Sequence, residues 1–205
     1  MPPARLLSVD PSLTCSGWAL FELEGERLIA VGKVRSMPPA EPLAVRLKDL
    51  QEKIRGIYRS IEFGLGDVLI CEAPTTMRDP GAAFKVEQVR CIFEAMARDL
   101  QVQVPGRLNP RSVHHEIMGL RGRQQKRVIV KDAAVTLVHT LFGDALSRIG
   151  FDPRVENLRK HQDIVDALLL GHLGSVKIRG ADRAGVSLEE VFHNTKYASQ
   201  RRLAS

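Results

Sequence analysis

Four carboxylates are the residues best placed to do chemistry in this chain: Asp10, Glu72, Asp163 and Asp166. Asp10 closes the apolar run Leu6-Leu7-Ser8-Val9, and Glu72 closes Val68-Leu69-Ile70-Cys71. Each run reads as a buried strand that delivers an acid at its C-terminal end. Asp163 and Asp166 stand three residues apart in a helical pattern, so both can point from one helix face. If the two strands are neighbours, their ends lie side by side and the helix can bring its pair against them. Carboxylates gathered this closely raise one another's pKa, and a divalent cation removes the conflict. Mg²⁺ suits such an oxygen set. Two such ions about 4 Å apart would activate a water and stabilise the leaving oxygen of a phosphodiester. Taken singly, the acids have plainer roles. Asp10 before Pro11 is a common turn residue, Glu72 could be a solvated loop residue, and Asp163 could complement a helix dipole. Asp166 is different, because it interrupts the apolar run Ile164 to Leu170, where an unpaired carboxylate is costly.

The elements that must position these acids follow from hydrophobic period and punctuation. Residues 6–9, 17–21 and 27–35 read as three strands joined by tight connections, an antiparallel meander. After the proline-rich segment 37–42, Leu43, Leu47, Leu50, Ile54, Ile57 and Ile61 form one apolar stripe, predicting a helix over 43–63. A strand over 68–71, a helix over 80–100 and a short strand around 102–104 follow. A short helix is expected over 111–118, started by Asn109-Pro110. Helices are expected over 128–142 and 161–176, separated by a loop over 143–159, with a further short helix at 188–192. Strand–helix alternation after the meander predicts an α/β fold: a mixed sheet, its first three strands antiparallel, with helices on both faces.

The segment 105–131 holds Arg107, Arg111, Arg121, Arg123, Lys126, Arg127 and Lys131 against one acid, Glu116. Phosphate neutralisation is the expected use of such a patch, and a solvated helix face is the plainer one. The tail cations Arg179, Arg183, Lys196, Arg201 and Arg202 could add DNA contacts or simply be solvated. The chain is divided accordingly into a domain over 1–178 and a basic extension over 179–205.

Composition bounds the reading. The chain has 205 residues, 44% hydrophobic and 26% charged, with 30 Lys+Arg against 24 Asp+Glu. Wholesale disorder is excluded and a sizeable core is possible. Aromatics are only 5%, which argues against a broad base-stacking surface. Cys15, Cys71 and Cys91 are odd in number and widely spaced, so they read as buried reduced thiols rather than a disulfide or zinc framework. No apolar run reaches the roughly 18 residues of a membrane span, and the N-terminus lacks a signal-peptide core. The expectation is a soluble, cytoplasmic protein.

The segments LLSVDPSLTCSGWAL (6–20), VLICEAP (68–74), GAAFKVEQVRCIFEAMA (81–97) and HQDIVDALLLG (161–171) resemble the RuvC family of Holliday-junction resolvases, within the RNase H-like superfamily. The resemblance spans roughly residues 4–177. It implies an RNase H-like five-stranded mixed sheet and a crossover-junction endodeoxyribonuclease acting on branched DNA, a four-way junction, as a homodimer. It implies that Asp10, Glu72, Asp163 and Asp166 are the metal-binding catalytic acids. The ions would be two Mg²⁺, replaceable by Mn²⁺. Asp10 would bridge both and Asp163 would serve as fourth ligand or orient the attacking water. It also places basic residues of the segment near the scissile phosphate, which makes Arg111, His114, Arg121, Arg123, Lys126 and Arg127 candidate DNA contacts. The helix over 80–100 would supply the dimer interface through Phe84, Val89 and Phe93. His115 and His161 could be metal neighbours, though the plainer reading of each is a surface histidine. Ser12 follows Asp-Pro where the family usually has glycine, and the loop 73–77 lacks the family's stacking aromatic; Met77 could wedge there instead, or be a loop methionine packed on the protein. Two rival enzyme readings remain beside this one, and a third reading, a catalytically dead DNA-binding module, is opposed by the retention of all four acids. One is an RNase H-like nuclease for other branched DNA or hybrids. The other is an actin-like phosphotransferase, with Ser12-Leu13-Thr14 on phosphate. No small-molecule substrate is otherwise expected.

Overall fold

Alternation along two strands decides where the first two acids point. In β1 (Arg5–Asp10), Leu6 packs into one hydrophobic core while Leu7 and Val9 pack into another, on the opposite face of the sheet. In β4 (Asp67–Glu72), Val68 and Ile70 join the first core, and Leu69 and Cys71 the second. Successive side chains point to opposite faces, so the even positions Asp10 and Glu72 share the face of Leu6 and Ile70. Burial on both faces is why both runs are continuously apolar rather than alternating.

The computed structural model of the chain describes residues 3–74, 79–120 and 126–193. Met77, Arg121, Arg123, Lys196, Arg201 and Arg202 lie outside the described residues. β1, β2 (Cys15–Glu22) and β3 (Arg27–Arg35) pair antiparallel, and β4 pairs parallel with β1 and with β5 (Arg107–Leu108). The order β3-β2-β1-β4-β5 makes the expected mixed five-stranded sheet. On one face, α1 (Leu43–Ser60) and α2 (Pro80–Asp99) cover Leu7, Val9 and Leu69. A short connection, α3 (Pro110–Ser112) and a π-helical turn (Val113–Ile117), leads to the other face. There α4 (Arg127–Arg148), α5 (Val155–Lys160) and α6 (Gln162–Ala184) close the second core. Among the described residues, no helix is long and apolar enough to cross a membrane.

α6 lies directly on β1 and β2 because small residues line the crossing. A Cβ on Gly171 would stand 2.2 Å from the Phe21 ring and 2.5 Å from Ser8 Oγ. Ser8 Oγ donates to the Ala167 carbonyl at 2.8 Å and lies 3.1 Å from the Ala19 carbonyl, fastening the helix to the sheet one residue beyond Asp166.

Several sequence expectations need correction. The strand around 102–104 shrinks to one bridge between Gln103 and Val68, and the fifth ladder strand is Arg107–Leu108. Pro105 has no N–H to give a ladder, so pairing resumes only beyond it. The expected loop over 143–159 is largely helical: α4 continues because Leu146 is fully buried, and α5 forms around buried Leu158. α6 does not stop near residue 176. Ile178 and Ala181 extend its buried face, and left-handed Gly185 ends it. Residue 178 therefore falls inside α6, and α7 (Leu188–His193) packs Phe192 into the same core. On α2, Val89 and Phe93 are buried in the chain's own core, leaving only Phe84 of the three on the surface. Of the cysteines, all free, Cys71 is buried, Cys15 half-buried and Cys91 exposed.

Candidate active site

Asp10, Glu72 and Asp166 line one pocket at the C-terminal edge of β1 and β4. Its other walls are Val113, His114, Met118, Lys131 and Leu169 with their neighbours, and its volume is about 40 Å³. That is room for a few water- or ion-sized occupants. β1 and β4 run parallel with Val9 beside Cys71, so the next residues, Asp10 and Glu72, emerge side by side. The two carboxyls are within hydrogen-bonding reach of each other.

The electrostatics are those of crowded acids. Burial first, then the charges of Glu72 and Asp166, hold the Asp10 carboxyl well above the usual carboxylate range. Burial raises Glu72, while its contact with Asp10 and the charge of Arg90 pull the other way. Asp166 is pushed up to about 7, by burial and by Glu72, against the opposing charges of Lys131 and Arg127. Asp166 is at the same time exposed to solvent as a residue. Among the described residues, no three His, Cys, Asp or Glu side chains close into a ready metal cage. The donor set nevertheless suits a hard divalent cation: three carboxyls converge, all oxygen, and their raised pKa values register negative charge that a cation would offset.

Asp163, one turn before Asp166, does not line this pocket; it pairs with Lys33 Nζ at 3.1 Å. His114 does line it, and burial lowers its pKa, so the ring is neutral near pH 7. His161 is turned elsewhere, its Nδ1 2.9 Å from the Asn157 carbonyl and its ring edge-on to Phe151. His115 and Arg111 also stay out of the pocket lining, and Arg111 is exposed. Lys126 and Arg127 begin α4, both exposed. The first turn of α4 has no acid, so these cations sit at the positive end of a helix dipole, an arrangement that favours an anion opposite them. In the β1–β2 turn, the Ser12 backbone N–H donates to Ser16 Oγ, and Ser12 Oγ accepts from Thr14 N–H; that hydroxyl closes the hairpin.

Two contributors were not placed at the site from sequence. Lys131 enters the pocket one helical turn after Arg127, and that four-residue spacing is the signal that was available. Arg90, 1% exposed, donates Nε–H to the Glu72 carbonyl at 2.7 Å and pairs with Glu87. Glu87 also pairs with Arg107, whose guanidinium makes a two-toothed pair with Glu94 at 2.6 and 2.9 Å. This ionic cluster stands behind Glu72 and fixes the strand end that carries it.

No family model matches the chain. The crossover junction endodeoxyribonuclease RuvC of Rhodopseudomonas palustris is 35% identical over 89 residues, 43% of this chain and 49% of that protein. The same-named protein of Beijerinckia indica is 37% identical over 98 residues, 45% of this chain and 52% of that protein. The chain thus spans about half the length of these curated relatives. The RuvC of a Chelativorans species is 29% identical over 140 residues, 67% of this chain and 78% of that protein. Among solved structures, Thermus thermophilus RuvC superposes with a TM-score of 0.55 at 18% identity, covering 83% of this chain and 97% of that one. That likeness shows a shared fold.

Proposed function

We propose that this chain, RuvC-like in sequence and in fold, is a divalent-metal-dependent, structure-selective DNA endonuclease that resolves Holliday junctions by paired nicks. The observation that carries the proposal is the convergence of Asp10, Glu72 and Asp166 on one pocket, with Lys131 in its wall and Arg127 nearby. Acids alone would repel a phosphodiester. Acids with a cation in the pocket, and basic side chains beside them, would accept one.

Asp10, Glu72 and Asp166 would hold the ions, with Asp163 as a further ligand; an all-oxygen set favours Mg²⁺, with Mn²⁺ as a substitute. Two such ions, when bound, activate water for in-line attack and stabilise the leaving oxygen. The chain's own part is orientation and charge. Arg90 fixes the backbone of Glu72, and Ser8 fixes α6 beside Asp166. Lys131 faces the developing charge on the phosphate, and Lys126 and Arg127 neutralise neighbouring phosphates. Neutral His114 offers a ring nitrogen that can accept a proton or hydrogen bond at the pocket wall. Paired nicks need two sites related by twofold symmetry, so the active species is a homodimer. The outer face of α2, where Phe84 is 64% exposed, is the surface for it.

The test is a substrate panel. A four-way junction, a flap, a linear duplex and an RNA–DNA hybrid of matched sequence are incubated with the full chain and Mg²⁺. Symmetric nicking of the junction alone is expected, leaving 5′-phosphate ends. Equal cleavage of the flap or hybrid would instead assign the chain to another RNase H-like nuclease activity.

A further inference from the structure

Lys33 lies on β3, in register with Gly17 of β2, which is in register with Asp10 of β1. The three positions form one row across the sheet at the level of the acids. Gly17 places no side chain in that row. Lys33 Nζ therefore reaches the first turn of α6, 3.1 Å from the Asp163 carboxylate and 3.5 Å from the Lys160 carbonyl. The lysine side chain is only 14% exposed and the aspartate 34%, so solvent screens the pair less than a surface pair. Asp163 and Asp166 share a face of α6, yet only Asp166 lines the pocket with Asp10 and Glu72.

We propose that Lys33 is a positioning residue that holds Asp163 outside the Asp10–Glu72–Asp166 pocket and so sets how tightly that pocket takes a divalent cation. The inference rests on reading the acids as metal ligands. Lys33 acts in two ways. It occupies the one acid of the four that stands outside the pocket, and its charge opposes an incoming cation. The exchange is feasible because Lys33 Nζ already lies near the Lys160 carbonyl, so releasing Asp163 does not strand a half-buried ammonium without an acceptor. Other groups near the pair include the Cys15 thiol, beside both Asp163 and Arg35, the groove wall formed by His161 and Ile164, and the carboxyls of Asp10 and Asp166, which feel the charge of Asp163.

Mn²⁺ binding to the full chain, followed by titration calorimetry without DNA, tests this. Lys33→Met and Lys33→Gln are each expected to tighten Mn²⁺ binding by roughly five- to tenfold, and Lys33→Arg to leave it near the parent value. In an Asp163→Asn background the gain from Lys33→Met should shrink to about twofold, the share due to charge alone. Lys53→Met is the control, because Lys53 lines the same groove but pairs with Asp49. Unchanged affinity in both Lys33 variants, or an equal gain in Lys53→Met, overturns the inference. If Asp166→Asn weakens Mn²⁺ binding in that same experiment, the metal site itself still stands. If Asp166→Asn leaves Mn²⁺ binding untouched, the reading of the acids falls, and the role of Lys33 with it.

Discussion

Gly17 lies directly beneath Asp163: a Cβ built on Gly17 would stand 1.9 Å from the Asp163 carbonyl oxygen and 2.2 Å from its carbon. Backbone, not a flexible side chain, occupies that space. Gly17→Ala must therefore lift the start of α6 off β2 and carry Asp163 and Asp166 with it. Overpacking of this kind costs about 1–3 kcal/mol. The variant is expected to unfold at lower denaturant and to lose cleavage rate more than junction affinity. Unaltered stability and rate would mean that α6 is not seated as described.

Arg90 supports Glu72 from behind. It is 1% exposed, donates to the Glu72 carbonyl and pairs with Glu87. Arg90→Met removes the cation and leaves Glu87 with Arg107 alone. Breaking such a buried pair costs about 3–5 kcal/mol, and less here because Glu87 keeps a partner and is 35% exposed. A fall of about 2–3 kcal/mol in chemical denaturation is expected, with weaker Mg²⁺ binding in the folded fraction. A variant as stable as the parent would show that the cluster does not hold this strand end.

The legible parts of the molecule were those written in local pattern. The three-strand meander appears where its apolar runs place it, with β3 at the expected bounds Arg27–Arg35. The parity of Asp10 and Glu72 relative to their strand neighbours already puts them on one face. What stayed hidden depends on contacts distant in sequence. The extension of α6 past residue 176 rests on Ile178 and Ala181 meeting the core, although Gly180 and the charges around it read locally as a tail. The Lys33–Asp163 pair joins residues 130 positions apart in sequence, and nothing in the local pattern of either announces it. Val89 and Phe93 look like interface residues in a helical stripe, but the same stripe is what α2 needs to bury against its own sheet.

The crowded acids make a pH signature. Asp10, Glu72 and Asp166 all hold their protons more tightly than ordinary carboxyls, with burial the first cause for each. A folded state that binds protons more tightly than the unfolded chain is favoured at low pH. That stabilisation is complete below the ordinary aspartate value of 3.8 and is lost as pH rises through about 7, the value for Asp166. The Tm of metal-free protein is therefore expected to fall between about pH 5 and about pH 8. Added Mg²⁺ should flatten the decline, and so should Asp166→Asn without metal. A Tm that rises over this interval in EDTA would contradict the electrostatic picture of the pocket.

The basic residues of α4 divide by position. Lys131 lines the pocket, whereas Lys126 and Arg127 begin the helix in solvent. Replacing Lys126 and Arg127 together by Ala should weaken binding to every DNA and lower the salt slope by about one to two units. Lys131→Ala should leave the salt slope nearly unchanged and slow single-turnover cleavage by about 10²–10³, the size of one lost electrostatic donor. Filter binding and single-turnover kinetics across a salt series separate the two effects. An identical pattern in both variants would remove the distinction between holding the backbone and stabilising the reacting phosphate.

The central claim, that Asp10 and Asp166 do metal-dependent chemistry while cations supply the affinity, is tested most directly by one comparison. Parent, Asp10→Asn and Asp166→Asn are mixed at saturating concentration with a labelled four-way junction in Mg²⁺, and cleavage and binding are read from the same samples. Both variants should bind the junction as tightly as the parent and cut it at least about 10³-fold more slowly, since such ligands act in the reaction rather than in docking. Parent-like cutting by both variants would contradict the account.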